Sequence, residues 1–136
     1  MTYDVIIFLL LCLGSSTALF MDPCTIFPRG FLPVNETEEV IPNSSCEKGR
    51  INWSYPRGSL NVIFNQPKPF QLCVTFGGGL TIFDNSYGKE TPLQPLSPDH
   101  KKCLRSNDNT AVLDVKAPPG LRYVASFTFE IGDLTN

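Results

Sequence analysis

The chain has 136 residues, with 11 basic and 13 acidic side chains, 5 cysteines and a single histidine. This length corresponds to one ordinary domain, and a net charge of −2 lacks the basic excess with which a nucleic-acid binder neutralises phosphates. The 12 prolines and 10 glycines favour short strands and turns over long helices.

Residues 1–18 have the pattern of a secretory signal peptide. The stretch Val5–Leu13 has no polar side chain and is too short to span a bilayer, which takes about 20 apolar residues. Small residues follow from Gly14 to Ala18, and we predict cleavage after Ala18. Asp4 and the lack of a preceding Lys or Arg depart from the usual start, so an uncleaved anchor or a buried strand is the alternative. Cleavage would leave a secreted, extracellular product without a membrane span.

The cysteines agree with export, because Cys12 would leave with the signal peptide and an even set would remain. That set is Cys24, Cys46, Cys73 and Cys103. In a short secreted chain it predicts two disulfides, while the spacing leaves all three pairings open. A zinc site is the alternative, and it is disfavoured because no two of the four lie two to four residues apart.

Three N-glycosylation sequons begin at Asn35, Asn43 and Asn52, and they predict a glycoprotein. Residues 19–49, which hold the first two, have little periodicity. We predict for them an irregular, glycosylated segment closed by a disulfide, followed by a β-sandwich over residues 50–136. Asn52 lies beside Trp53 in a predicted strand and is usable only if its side chain faces solvent, as the alternation there suggests.

Six segments of the mature chain alternate apolar and polar side chains, as half-buried strands do. They are residues 50–55, 59–64, 70–76, 80–83, 111–115 and 123–131. Alternation in every segment predicts an all-β, antiparallel β-sandwich. Its expected core includes Trp53, Tyr55, Phe127 and Phe129. Residues 88–109 have turn composition and predict one long loop.

No residue constellation predicts catalysis, so we expect a non-enzyme without a cofactor. His100 lies in a charged loop, and Gly77–Gly79 lacks a phosphate-binding pattern. Asp84 and Asp108 are weak candidates for calcium ligands, because turns also use aspartate for backbone reasons. Loops carry binding sites on sandwiches, and the binding-loop candidates are Asp84, Asn85, Tyr87 and Lys89, together with residues 88–109.

The segment Gly49–Leu60, GRINWSYPRGSL, is preceded by Cys46 and followed by Cys73. It resembles the amino-terminal domain of meteorin and meteorin-like proteins, in which Trp is followed by Tyr-Pro-x-Gly. The order of later segments is also similar, and the resemblance spans about residues 24–131. It implies a CUB-like β-sandwich of jelly-roll type with sequential disulfides, Cys24–Cys46 and Cys73–Cys103.

Members of that family are secreted, non-enzymatic factors in neural development and tissue signalling, and a netrin-like second domain follows this one in them. The resemblance therefore implies a secreted signalling factor or modulator that binds an extracellular protein or receptor. On this resemblance the sequence is either a fragment or splice form of such a factor or a stand-alone CUB-like protein. The alternative is a structural or carbohydrate-binding extracellular module without signalling activity.

Overall fold

The alternating segments form β-strands. The computed structural model describes residues 22–75, 79–93, 101–120 and 122–134, and within these ranges there is no helix. The strands are β1 (Thr25–Ile26), β2 (Thr37–Val40), β3 (Lys48–Ser54), β4 (Ser59–Asn65), β5 (Phe70–Thr75), β6 (Thr81–Asp84), β7 (Thr91–Pro92), β8 (Lys102–Arg105), β9 (Thr110–Lys116) and β10 (Val124–Asp133). The predicted signal peptide, His100, Phe76 and the glycines at 77 and 78 lie outside the described residues.

The strands form two five-stranded sheets. The first sheet has the order β1-β3-β10-β5-β8, and the second has the order β2-β4-β9-β6-β7. Within each sheet every pair is antiparallel except the first one, since β1 runs parallel to β3 and β2 runs parallel to β4. The prediction of an all-β sandwich with two disulfides is confirmed, and the pairs β1–β3 and β2–β4 are parallel exceptions to the predicted antiparallel pairing. The jelly-roll type stays a prediction.

The core lies between the two sheets and is filled by alternate residues of the central strands. The rings of Phe64 on β4 and Phe129 on β10 meet edge to face, with their centroids 4.9 Å apart. Trp53 and Phe127 are buried with them, as the alternation predicts. Burial of each such side chain stabilises the fold by roughly 1.5–3 kcal/mol, so these residues hold the two sheets together.

The N-terminal segment is more regular than its composition predicts. It supplies one parallel edge strand to each sheet, with Thr25 opposite Arg50 in the first and Thr37 opposite Ser59 in the second. The predicted irregular segment over 19–49, with a boundary at residue 50, is therefore corrected, and β3 already begins at Lys48. Two- and four-residue edge strands carry too few side chains for a period of two to be visible.

Gly49 shows how closely β1 lies against β3. A Cβ atom at this position would be 2.4 Å from the Cys24 carbonyl oxygen and 2.4 Å from the ring of Phe129. The Arg50 N–H donates to the same carbonyl at 3.0 Å. Glycine is required here because backbone lies on one side and a core ring on the other.

The predicted loop over residues 88–109 is also corrected, because it contains two edge strands. β7 pairs with β6, and β8 pairs with β5. Only Leu104 in β8 faces the core, so the hydrophobic pattern there is too short to predict a strand. Residues 94–100 of the predicted loop lie outside the described part of the chain.

The disulfides are Cys24–Cys46 and Cys73–Cys103, the two that the family resemblance implies. Cys24 precedes β1 and Cys46 precedes β3, so their bond fixes the start of the N-terminal segment to the first sheet. Cys73 and Cys103 are direct partners on β5 and β8, on the outer face of that sheet. One bond thus secures each edge of the first sheet.

Candidate functional site

Three loops meet at one end of the sandwich, between β1 and β2, between β3 and β4, and between β9 and β10. Backbone hydrogen bonds join them across the gaps. The Phe31 N–H donates to the Tyr55 carbonyl at 3.0 Å, and the Tyr55 N–H donates to the Tyr123 carbonyl at 2.8 Å. The Ala117 N–H donates to the Gly58 carbonyl at 3.1 Å. The three loops therefore form one connected surface.

Three aromatic side chains lie exposed on this surface, and we call them the aromatic surface: Phe31, Tyr55 and Tyr123. Phe31 stacks on Tyr55 with ring centroids 4.5 Å apart, and Tyr123 meets Tyr55 edge to face at 6.0 Å. Phe31 is 64% exposed and Tyr123 is 73% exposed. A cluster of large apolar side chains in solvent is typical of an interaction site rather than of a stable free surface.

The core role predicted for Tyr55 is wrong. Tyr55 is 39% exposed and has a φ of 48°. This backbone conformation ends β3 at Ser54, one residue before the predicted end, and turns the Tyr55 side chain out of the alternating pattern. Tyr123 also lies outside its strand, because β10 begins at Val124. Alternation places both tyrosines on the inner face only if the strands continue through them.

The backbone at two of these aromatics is in an unfavourable conformation. Phe31 has a φ of 57° and Tyr55 a φ of 48°, in the left-handed region that bulky residues rarely adopt. Such a conformation costs roughly 1–3 kcal/mol per residue and persists where the surrounding structure enforces it, often at functional sites. The position before Phe31 also requires glycine, because a Cβ atom on Gly30 would be 2.3 Å from the Ser54 carbonyl oxygen.

Trp53 anchors the loop that carries Phe31. Its indole Nε1 donates to the Arg29 carbonyl oxygen at 3.0 Å. The Arg29 N–H donates to the Glu38 carboxylate at 2.9 Å, and the Arg29 guanidinium lies 3.7 Å from the Glu36 carboxylate. Trp53 of the buried core and Tyr55 of the aromatic surface are thus two residues apart in the chain. The indole hydrogen bond also connects the core directly to the loop that carries Phe31.

A groove of about 530 Å³ runs beside the aromatic surface. Its walls are mainly apolar and come from Phe31, Val34, Tyr55, Pro56, Pro118 and Pro119. Arg57 is the charged residue of the lining among the described residues. The volume is within the range of about 300–1,000 Å³ that ligand pockets have.

The binding-loop candidates from the sequence lie at the opposite end of the sandwich. Asp84, Asn85, Tyr87 and Lys89 belong to the turn that follows β6, near the start of β9. The Asn85 N–H donates to the Val112 carbonyl, and the Tyr87 hydroxyl donates to the Ser106 carbonyl at 2.9 Å. The turn is therefore fixed to the neighbouring loop, and the structure does not bring it to the groove.

The two calcium candidates serve their own turns. The Asp84 carboxylate accepts the Ser86 N–H at 3.0 Å, and Asp108 occupies a left-handed turn position with a φ of 52°. Aspartate suits both positions for backbone reasons. Among the described residues no group of three or more His, Cys, Asp or Glu is placed to hold a metal ion.

The three predicted glycosylation residues lie at different places on the surface. Asn35 is exposed and follows Val34 of the groove, while Asn43 is exposed in the loop before β3. The Asn43 side-chain oxygen accepts hydrogen bonds from Ser45, the hydroxyl residue of its own sequon. Asn52 is half-buried and lies opposite Ser126 on the outer face of the first sheet.

A carboxyl pair lies on the outer face of the second sheet. Burial, and then the hydrogen bond and charge of Glu90, raise the pKa of the Asp114 carboxyl to about 6, from an ordinary value of 3.8. The hydrogen bond from Asp114 lowers the pKa of Glu90, assisted by the Lys116 ammonium at 3.6 Å. At mildly acidic pH Asp114 is therefore protonated in the folded state, and its O–H group donates a hydrogen bond to the Glu90 carboxylate.

We expect Asp114→Asn to stabilise the fold at pH 7 but not at pH 4. In the wild type the folded state binds this proton more tightly than the unfolded state, so stability falls as pH rises from about 4 to about 6. Asparagine has no charge to bury, and its advantage at pH 7 should be roughly 1–2 kcal/mol after allowance for solvent screening. Urea unfolding at both pH values, with the exposed Asp133→Asn as control, measures it. An equal effect of Asp114→Asn at both pH values would contradict the assignment.

Neither a scan against protein-family models nor a search of the curated proteins finds a match to this chain. Within the described ranges, no helix has the length and apolar character needed to cross a membrane.

Proposed function

We propose that this chain is a secreted glycoprotein, a CUB-like extracellular signalling factor or modulator that acts by binding a protein partner. Two disulfides are compatible with an extracellular protein, because such bonds persist in oxidising compartments. The three sequons and the signal-like start of the chain support the same location. A role in neural or developmental signalling rests on the resemblance to the meteorin family.

The aromatic surface is the observation that carries the proposal. Exposed tyrosine and neighbouring arginine side chains are the types that contribute most to protein–protein affinity. Phe31 and Tyr55 are already held in place by backbone hydrogen bonds and by their stacking, so little conformational freedom is lost on binding. The aromatic surface replaces the turn at Asp84–Lys89 as the proposed contact site.

The test uses the oxidised product that cells secrete when they express the full chain. Saturable binding of this labelled product to a panel of cell types is measured for the wild type and for the double variant Phe31→Asn, Tyr55→Asn. Asparagine tolerates a left-handed φ, so the variant loses the stacked rings while the backbone conformation is kept.

We expect the double variant to bind at least tenfold more weakly than the wild type, since hot-spot residues contribute about 2 kcal/mol or more. Tyr87→Ala is the control, because Tyr87 is an exposed tyrosine at the other end of the sandwich. A wild type without saturable binding to any cell type would sink the proposal, and so would equal binding by the wild type and the double variant.

A further inference from the structure

The groove beside the aromatic surface offers few backbone hydrogen-bond donors. Pro56, Pro118 and Pro119 have no N–H group, and the N–H groups of Phe31 and Tyr55 are already bonded to carbonyls of neighbouring loops. A carbohydrate presents many hydroxyl groups that need polar partners, and an added β-strand needs a row of free backbone groups. Both kinds of ligand fit this lining poorly.

A polyproline II segment fits it better. Such a segment has no internal hydrogen bonds and keeps its backbone in water, so it requires few polar groups from the protein that binds it. Proteins recognise these segments in grooves lined by aromatic side chains. The lining here combines the stacked rings of Phe31 and Tyr55 with Pro118 and Pro119, which is a lining of that type.

The charges near the groove define the ligand further. Arg57 lies in the lining, and Arg122 is exposed next to Tyr123. Neither arginine forms an ion pair with any residue that the structure describes, whereas Arg29 is neutralised by Glu36 at 3.7 Å. Two cationic groups without a described counter-charge complement an acidic residue on the ligand.

We infer that the groove binds an extended, proline-containing segment of the partner protein that carries an acidic residue beside its prolines. The inference rests on the proposed function and names the partner's chemistry. The apolar lining contacts the proline rings, and Arg57 binds the carboxylate.

The experiment selects a displayed library of random twelve-residue peptides on the secreted, oxidised protein. Clones that also bind the Phe31→Asn, Tyr55→Asn double variant are removed. We expect the remaining clones to be enriched in proline together with Asp or Glu. A synthetic peptide of the enriched sequence should bind at least tenfold more weakly to Arg57→Glu than to the wild type, and added salt should weaken its binding to the wild type.

Lys68→Glu is the matched control for charge reversal, because Lys68 is exposed at the far end of the sandwich, and it should bind the peptide like the wild type. Far-UV circular dichroism and urea unfolding establish that each variant is folded. Enrichment of sequences without proline or without acidic residues would overturn the inference, and so would the absence of enrichment or binding to an array of glycans instead. Saturable cell binding through the aromatic surface, combined with any of these outcomes, would leave the proposed function standing.

Discussion

Trp53→Ala should destabilise the fold by about 3–5 kcal/mol, which is the usual effect of removing a large aromatic side chain from a core. Trp53 is completely buried, and the residue directly opposite it on β10 is the small Ala125. The substitution also removes the donor to the Arg29 carbonyl oxygen. Because small domains have a total stability of about 5–15 kcal/mol, urea unfolding followed by far-UV circular dichroism should show a large shift of the midpoint.

Trp53→Phe separates the two roles of this residue. It retains most of the ring volume and loses the indole N–H, so it should cost about 1–2 kcal/mol. The variant should stay folded while the loop that carries Phe31 is less firmly held. Its cell binding should therefore be weaker than that of the wild type even under conditions in which both proteins are fully folded. A loss of less than about 1 kcal/mol for Trp53→Ala would show that the tryptophan is not the core anchor described above.

Removal of the Cys24–Cys46 disulfide by a double alanine substitution should cost about 4 kcal/mol. Each disulfide restricts the unfolded chain, and this restriction contributes about 3–4 kcal/mol of stability in either case, since the loops that the two bonds close span 22 and 30 residues. Cys46 is also 2% exposed and belongs to the core, so its truncation leaves a cavity worth roughly 1 kcal/mol.

The second disulfide provides the control. Cys103 is exposed on the outer face of the first sheet, so a double alanine substitution of Cys73 and Cys103 removes the crosslink with little loss of packing. Thermal and urea unfolding of both double variants should rank Cys24–Cys46 as the more stabilising bond. Loop length alone gives the reverse order, so a larger effect at Cys73–Cys103 would show that burial of Cys46 is not decisive.

The central strands could be predicted from the sequence because burial imposes a period of two on them. In β4 and β9 every second side chain is buried, from Leu60 to Phe64 and from Ala111 to Val115. The edge strands could not be predicted, since β1 and β7 have two residues each and Glu38 and Glu39 give β2 the composition of a loop. The pairing of β1 and β2 is decided by strands farther along the chain rather than by their own pattern.

The candidate site could not be predicted because its parts lie on three separate loops. Phe31, Tyr55 and Tyr123 are brought together by backbone hydrogen bonds between those loops, and no local motif records such contacts. Alternation also assigned Tyr55 to the core. The available signals were Gly30 before Phe31 and the pair Pro118-Pro119, which mark turns at this end without indicating that they meet.

The two parallel pairs impose an order on folding. β1 and β2 are synthesised before the other strands that the structure describes, yet each has a partner, β3 or β4, that appears later in the chain. Until then the N-terminal segment has no sheet edge to join, although synthesis favours early folding of whatever is complete. β9 and β10 each pair with two strands, whereas β1 and β2 each pair with one at a sheet edge, so the antiparallel parts of both sheets should assemble before the N-terminal segment docks. In a hydrogen-exchange measurement during refolding, the backbone amides of β9 and β10 should then be protected before those of β1 and β2.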